Sequence, residues 1–191
     1  MMQLFGSFTS PFVRHIRITL ADTGLAHEFI ETDYSQSAAG SPAQRVPFLR
    51  ADIKGKALQL NDSTSILKFI REAAGESFCA DVETLDLYCL INTALDTTVN
   101  LFLLEREGLN SDANPYLQRQ AARIQTALQA LENYPWPAQL PWDDAGIRLA
   151  CFLDWALFRQ RLDFSNYPRL LQLLDDAKAQ PSFVATAPPQ V

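Results

Sequence analysis

The sequence has few of the residues that bind metals or form disulfides. Three cysteines are present, Cys79, Cys89 and Cys151, and the two histidines are His15 and His27. They form no CxxC pair and no cysteine–histidine cluster, so the sequence predicts neither a zinc site nor another metal site. Cysteines that are odd in number and far apart are typical of reduced, structural thiols, and we expect the protein in the cytoplasm.

Positive charge is also scarce. The 191 residues include 16 Lys and Arg against 22 Asp and Glu, which gives a formal net charge of −6. Without a block of Lys and Arg to neutralise phosphates, no nucleic-acid partner is expected. No uncharged apolar run approaches the roughly 18–20 residues of a membrane span, and no basic stretch precedes an apolar one as in a signal peptide, so we expect no membrane partner.

The remaining composition is ordinary for a globular protein, with 48 % hydrophobic and 20 % charged residues. A chain of this length forms one large domain or two small ones.

The chain begins with a strand–helix–strand pattern. Met2–Phe5 is a short apolar run, and Pro11–Thr23 has helical periodicity with Ser10 in front of it and Gly24 behind it. Ser before Pro favours a helix start, and Gly favours a helix end. A second apolar run, His27–Thr32, completes a βαβ unit, so the two strands are predicted to be parallel.

The rest of the first half predicts a hairpin followed by a helix. A polar segment, residues 35–44, is a loop or a weak helix, and a hairpin with its turn at residues 54–56 joins strands near Phe48 and Leu58. Asp62 or Ser63 is the predicted N-cap of the next helix. The order βαβ, then ββα, predicts a small mixed-sheet domain over residues 1–75.

No strand is predicted beyond the linker at residues 76–81. Residues 82–191 are predicted to form an all-helical domain. Its helix over Ile147–Phe158, capped by Asp143, is apolar enough to be buried on all sides. The tail, Pro181–Val191, is expected to be loosely attached. The other predicted helices span Val82–Glu107, start at Asn114-Pro115, and start at Tyr167-Pro168.

The turn into the first helix is a candidate site. A helix N-terminus directs backbone amides and the positive end of its dipole at whatever lies beyond it, and a thiolate is one anion that such a place favours. The simpler alternative is that Ser10 only caps the helix.

The motifs resemble the glutathione transferase family. The resemblance rests on SPFVRHIRITL at positions 10–20, on Val46-Pro47 before a strand, and on Asp62-Ser63 before a helix. TSPFVR at 9–14, with LDWALFRQR at 153–161, is most similar to small bacterial glutathione transferase-like proteins. The resemblance covers the whole chain and implies the glutathione transferase fold, a thioredoxin-like domain followed by a helical bundle.

The resemblance gives Ser10 a role in catalysis. In serine-type members this hydroxyl donates a hydrogen bond to the glutathione sulfur, and no Tyr lies between residues 1 and 33 to replace it. Ser10 stands where a dithiol protein of this fold has its first Cys. Thiol–disulfide exchange is therefore not expected, because it needs a thiolate on the protein.

The other two motifs resemble the family's glutathione-binding residues. Val46-Pro47 implies a cis peptide bond that lets the Val46 backbone pair with the cysteinyl backbone of glutathione. Ser63 would hold the γ-glutamyl carboxylate and Asp62 would face the amine, although the family usually has the longer Glu there. Arg45 either reaches the glycyl carboxylate or is a solvated loop residue. Without the resemblance, an ordinary trans bond and a simple N-cap would explain these two motifs.

One departure lies in the second half. The family's Ser/Thr-x-x-Asp box at the start of the buried helix is Asp143-Asp144-Ala145-Gly146 here, so the terminal Asp is missing.

The resemblance implies a glutathione transferase with a role in detoxification. A thiolate stabilised by Ser10 would attack a small hydrophobic electrophile held near Phe8 and residues 101–106. Glutathione is the co-substrate, and a homodimer that buries part of residues 82–104 is expected. A glutathione-dependent isomerase or peroxidase, or a non-catalytic binding or scaffold protein, are the alternatives.

Overall fold

The computed structural model describes residues 1–110 and 114–189. The chain divides into two compact units. The first comprises Met1–Phe78 together with Ala179–Val191, and the second comprises Cys79–Lys178. The C-terminal segment thus groups with the first unit, whereas the sequence analysis assigned it to the helical domain.

The first unit is built on a four-stranded mixed sheet with the strand order β2-β1-β3-β4. β1 is parallel to β2 and antiparallel to β3, and β3 is antiparallel to β4. This arrangement confirms the predicted thioredoxin-like order. The strands are β1 (Met2–Gly6), β2 (His27–Glu31), β3 (Phe48–Ile53) and β4 (Lys56–Leu60).

Four helices accompany the sheet: α1 (Pro11–Thr23), α2 (Tyr34–Gly40), α3 (Ser63–Ala73) and, from the C-terminal segment, α8 (Pro181–Ala185). α1 ends at Gly24, whose φ of 66° is left-handed as the sequence predicts. α2 settles the open prediction for residues 35–44 in favour of a short helix, because Asp33 and Gln36 form a capping box at its start.

The core of the first unit lies between the sheet and helices α1 and α3. Gly6 in β1 lets α1 approach closely, since a Cβ at Gly6 would lie 2.6 Å from a methyl carbon of Val13. The alternation of strand side chains directs Leu4 and Leu49 to this side, where both are completely buried. They pack with side chains that are also fully buried: Val13, Ile16, Ile66, Leu67 and Ile70.

The tail is not loosely attached. Phe183 in α8 is only 2 % exposed, and α8 packs against α1. This contact is not predictable from the sequence, because α8 has five residues, too few to show a periodic apolar face.

The described residues of the second unit form helices and connecting loops and no strand, as predicted. Its helices are α4 (Val82–Arg106), α5 (Pro115–Glu132), α6 (Asp144–Phe158) and α7 (Pro168–Lys178). α6 is central: every residue from Asp144 to Leu153 is buried, which confirms the predicted burial on all sides over this stretch, whereas Leu157 in the last turn is 41 % exposed. α4 packs on α5 and α6, and α7 packs on α6.

The start of α6 gives a physical reason for the missing Asp of the capping box. Asp143 caps α6 by accepting a hydrogen bond from the Gly146 amide at 2.9 Å. A Cβ at Gly146 would lie 1.9 Å from the Pro141 carbonyl oxygen, so no side chain fits at this position. The chain therefore keeps the acidic cap at Asp143. At Gly146, where the family has the terminal Asp of the box, the helix backbone instead lies close to the Pro141 carbonyl.

α4 is long and apolar enough, by length and composition alone, to cross a membrane. Core helices of water-soluble proteins have the same properties, and 39 % of its most apolar stretch is buried in this fold.

Candidate functional site

The three predicted motifs all lie at one end of the sheet. Phe5 pairs with Phe48, and Leu49 pairs with Leu60. Because neighbouring strands here run antiparallel, the end of β1, the start of β3 and the end of β4 lie at the same edge of the sheet. The segments that adjoin these ends are residues 7–10, 45–47 and 61–63.

Ser10 is the N-cap of α1. Its backbone is extended, with φ −82° and ψ 126°, and its Oγ accepts a hydrogen bond from the Val13 amide at 3.4 Å. The Ser10 amide donates to the Ser7 carbonyl at 3.1 Å, which closes the turn that leads into the helix. The cap uses a lone pair of the hydroxyl, so the hydroxyl hydrogen can still be donated to a ligand atom.

The Val46–Pro47 peptide bond is cis, as the sequence predicts. Pro47 is buried and Val46 is half-buried. Gln44, two residues before Val46, has a φ of 52°, and its amide donates to the Ser41 carbonyl at 2.9 Å. This left-handed turn lies just before the cis peptide bond and the start of β3.

Asp62, rather than Ser63, is the N-cap of α3. Its Oδ1 accepts a hydrogen bond from the Thr64 amide at 2.8 Å. Ser63 is the first residue of α3 and is 5 % exposed. A helix start has several backbone donors, so an anion can bind there in addition to the cap.

Arg45 and Asp62 lie close together, although they are 17 positions apart in the sequence. An Nη2 of Arg45 is 4.0 Å from an Oδ2 of Asp62, and both side chains are more than half exposed, at 58 % and 56 %. Exposed pairs of this kind contribute little to stability, about 0–1 kcal/mol. The pair places one positive and one negative group beside the start of α3, which suits a ligand that carries both charges.

An aromatic and cationic cluster that the sequence does not predict lies behind the Ser10 turn. The rings of Phe8 and Phe29 lie 4.7 Å apart, and the Arg17 guanidinium lies over both, 4.7 Å from the Phe8 centroid and 5.4 Å from that of Phe29. Such cation–π contacts contribute about 0.5–2 kcal/mol. Nothing in the local sequence pairs these residues, because β2 brings Phe29 to the cluster.

The C-terminal segment contacts the side of α1 that carries Arg14 and Arg17. Arg14 donates from Nη2 to the Phe183 carbonyl at 2.9 Å, and its guanidinium lies 3.8 Å from the Phe183 ring centroid. Arg17 donates from Nη1 to the Thr186 carbonyl at 3.2 Å. Burial, and then the nearby positive charge of Arg14, lower the pKa of the Arg17 guanidinium. Both arginines therefore meet carbonyls at the C-terminal end of α8, where helix carbonyls lack intrahelical partners.

A second arginine–phenylalanine stack lies on the sheet face opposite Leu4. Arg50 lies over the stacked rings of Phe5 and Phe48, at 4.9 and 5.4 Å, and donates to the Gly40 carbonyl at 3.0 Å. These residues line a recess of about 350 Å³ beneath α2 that includes none of the predicted site residues. Among residues 1–110 and 114–189, no group of three or more His, Cys, Asp or Glu side chains is arranged to hold a metal.

The fold and these motifs define a class, a thioredoxin-like unit joined to a helical unit. Residues 4–78 match the model for the glutathione S-transferase N-terminal domain. An uncharacterized GST-like protein of Escherichia coli K12, YibF, is 28 % identical over 204 residues, covering 99 % of this chain and 100 % of YibF. The first unit thus matches the glutathione S-transferase N-terminal domain, and the whole chain is similar in sequence to a GST-like protein.

Solved structures agree with the whole fold. A glutathione transferase family member from Pseudomonas fluorescens Pf-5, with bound S-(propanoic acid)-glutathione, is 25 % identical with a TM-score of 0.81, over 99 % of this chain and 100 % of that one. A maleylacetoacetate isomerase from Anaeromyxobacter dehalogenans 2CP-1, with glutathione in its active site, is 22 % identical with a TM-score of 0.73, over 98 % of this chain and 95 % of that one. The chain thus has the glutathione transferase fold in both units.

Proposed function

We propose that the protein is a glutathione transferase that conjugates reduced glutathione to a small hydrophobic electrophile. The observation that carries the proposal is the Ser10 hydroxyl, which caps α1 with a lone pair and keeps its hydrogen for donation. Relatives with this fold bind glutathione or its conjugates, which supports the choice of ligand.

Ser10 acts on the thiol of glutathione. A free thiol has a pKa of about 8.5. A hydrogen bond from the Ser10 hydroxyl and the positive end of α1 both favour the thiolate, and a helix terminus contributes at most ~2 kcal/mol, or about 1.5 pKa units. This is enough to make the thiolate a major species at pH 7. The thiolate sulfur then forms a bond to an electrophilic carbon. In a substitution that carbon expels its leaving group, and in an addition the π bond breaks and the neighbouring atom takes up a proton.

The remaining predicted residues hold the tripeptide. The Val46 amide and carbonyl pair with the cysteinyl backbone as one more strand would. The start of α3 at Ser63 takes the γ-glutamyl carboxylate, and Asp62 takes the ammonium group. Arg45 lies 4.0 Å from Asp62, so it contributes positive charge at the same place and stays a candidate for the glycyl carboxylate.

Replacing Ser10 tests the proposal. We expect Ser10→Ala to lower kcat about 10²-fold, as removal of one donor to a developing anion does elsewhere, while glutathione affinity changes little. Thiolate absorbance of bound glutathione, titrated with pH, and calorimetry with reduced glutathione give the two readouts. Ser77→Ala, an exposed serine outside the site, is the matched control. Equal turnover in Ser10→Ala would refute the role of Ser10.

An isomerase is the second candidate. The maleylacetoacetate isomerase similar to this chain favours it, because a thiolate that adds to a double bond and is later expelled leaves glutathione unchanged. Measuring the loss of free thiol during turnover separates the two: conjugation consumes glutathione and isomerisation does not.

A glutathione-dependent peroxidase would instead form glutathione disulfide. Absence of binding up to millimolar glutathione would favour a scaffold protein.

We also propose a homodimer. α4 carries apolar side chains at the surface of its unit, with Val82 76 % and Leu85 38 % exposed, and burial of such side chains stabilises protein interfaces. Light scattering measures the mass in solution, and a monomer at micromolar concentration would contradict the proposal.

A further inference from the structure

Arg17 connects the last residues of the chain to the turn that carries Ser10. We propose that Arg17 is a positioning residue for the Ser10 hydroxyl, and that the docked C-terminal segment, residues 181–186, holds Arg17 in the required place. This inference rests on the proposed function, because it concerns the group that ionises the thiol.

The first step is the contact between Arg17 and Phe8. Phe8 lies within the turn that the hydrogen bond from the Ser10 amide to the Ser7 carbonyl closes. The Arg17 guanidinium covers the Phe8 ring, and Phe29 supports the ring from the side. Phe8 therefore cannot move far while both contacts persist, and Ser10 follows it by two residues.

The second step is the contact between Arg17 and α8. Arg14 and Arg17 are one turn apart on α1, so their like charges repel each other. Carbonyl oxygens of Phe183 and Thr186 accept one hydrogen bond from each guanidinium, which favours both charges at this place. Without the C-terminal segment, each guanidinium would lose its carbonyl and turn toward water.

The third step is the geometry at Ser10. The same hydroxyl must accept from Val13 and donate to the ligand sulfur, so only a narrow range of orientations serves both bonds. Misplacement of a reacting group by about 1 Å can cost about 10²-fold in rate. Arginine suits the connecting role because its planar head stacks on a ring and donates a hydrogen bond at the same time, whereas lysine is a point charge.

The test compares Arg17→Met with Arg50→Met. Both changes remove a guanidinium from two phenylalanine rings in the first unit, but Arg50 lies over Phe5 and Phe48 and donates its hydrogen bonds to Gln59 and Gly40, away from the Ser10 turn. We expect Arg17→Met to lower kcat about tenfold or more, to raise the pKa of the bound thiol, and to change the KM for glutathione little. Arg17→Lys should recover only part of the loss, and Arg50→Met should match the unaltered protein.

Hydrogen exchange of the Ser10 amide in the protein without glutathione gives a readout independent of turnover. We expect faster exchange in Arg17→Met and not in Arg50→Met, because the turn is held less firmly. If Arg17→Met folds poorly, Phe8→Leu removes the same contact and leaves α8 untouched.

The outcomes separate the two proposals. If Ser10→Ala lowers turnover but Arg17→Met and Phe8→Leu behave as Arg50→Met does in both readouts, the positioning role is wrong and the transferase proposal stands. If the unaltered protein binds no glutathione, the proposed function fails, and with it the catalytic part of this inference. The exchange data then decide only whether Arg17 holds the turn.

Discussion

A hydroxyl at a helix start has two uses at Ser10, and a single substitution can separate them. Asp is as good an N-cap as Ser, so Ser10→Asp keeps the bond to the Val13 amide while it removes the donor and places a negative charge beside the ligand thiol. We expect Ser10→Asp to keep the stability of the protein and to lose thiol ionisation. Ser10→Ala should lose both, with about 1 kcal/mol of unfolding free energy from the cap.

Denaturant unfolding and the pH titration of the bound thiol measure these two properties on the same samples. A Ser10→Asp protein that still ionises glutathione near pH 7 would contradict the assigned role of the hydroxyl.

Gly146 is a position where one added carbon is costly. Its Cβ would lie 1.9 Å from the Pro141 carbonyl oxygen, a backbone atom that cannot swing aside. We expect Gly146→Ala to lower the free energy of unfolding by about 2–3 kcal/mol, in the upper range for an overpacked site. Gly75→Ala meets no atom but has a φ of 78°, so its cost should be only about 1 kcal/mol. Denaturant melts compare the two variants, and an equal cost would contradict the close approach.

Local chemistry made several residues of the site predictable. The Ser10 cap, the cap of α3 within the Asp62-Ser63 pair, and the Val46–Pro47 cis bond are confirmed, because each depends on neighbours in sequence or on a family motif. The closeness of Arg45 to Asp62 was not predictable in the same way, since it depends on how β3 and β4 place their ends. The ligand contacts of all these residues stay predictions.

At the scale of an element, the long helix α4 begins with a charged cap. Asp81 accepts a hydrogen bond from the Thr84 amide at 2.7 Å, and this bond holds the pKa of the Asp81 carboxyl below its usual value. The stability it adds is complete above the unfolded pKa of about 3.9. That stability disappears as the pH falls through the lower, folded value.

Two substitutions at Asp81 test this pH dependence. Asn is also a good N-cap but has no charge, so Asp81→Asn should melt below the unaltered protein at pH 7, and the gap should close as the pH falls from 4 toward 2. Asp81→Ala should melt at a lower temperature throughout. Melting temperatures measured across this range decide, and a gap that stays constant with pH would rule out the carboxylate as its source.

Elements with strong periodicity or clear caps were predicted well, and short ones were not. α1 has its predicted bounds because Ser10-Pro11 and Gly24 mark both ends. The sequence does not distinguish a loop from a helix at α2, because its capping box is recognisable only from the hydrogen bonds between Asp33 and Gln36. α8 was missed because its place depends on arginines more than 160 residues earlier in the chain.

At the scale of the whole molecule, the chain enters the second unit at Cys79 and returns to the first at Ala179. The sequence predicted a mixed-sheet domain followed by a helical domain, because strand patterns end near residue 75. It did not predict the return, because no composition change marks residue 179. The contacts of α8 with α1 make the returning segment part of the first unit's packing.

Phe183 is the side chain that anchors this return. It is 2 % exposed and lies against the Arg14 guanidinium. We expect Phe183→Ala to lower the free energy of unfolding by about 3–5 kcal/mol. Val184→Ala, in the next residue, changes a side chain that is 60 % exposed, and should cost less than about 0.5 kcal/mol. Denaturant melts of the two variants provide the comparison, and similar midpoints would mean that α8 adds nothing to the first unit.

The bond between Arg14 and the Phe183 carbonyl joins residues 169 positions apart, and this separation has a consequence for biosynthesis. A ribosome that adds about 5–20 residues per second needs about 8–34 s to make the intervening chain. During that interval the sheet, α1 and α3 exist without α8, and the nascent first unit exposes the surface of α1 that Phe183 later covers. The newly made first unit is therefore incomplete until α8 has been synthesised, and chaperones that bind apolar surface have the longest time to bind it during this interval.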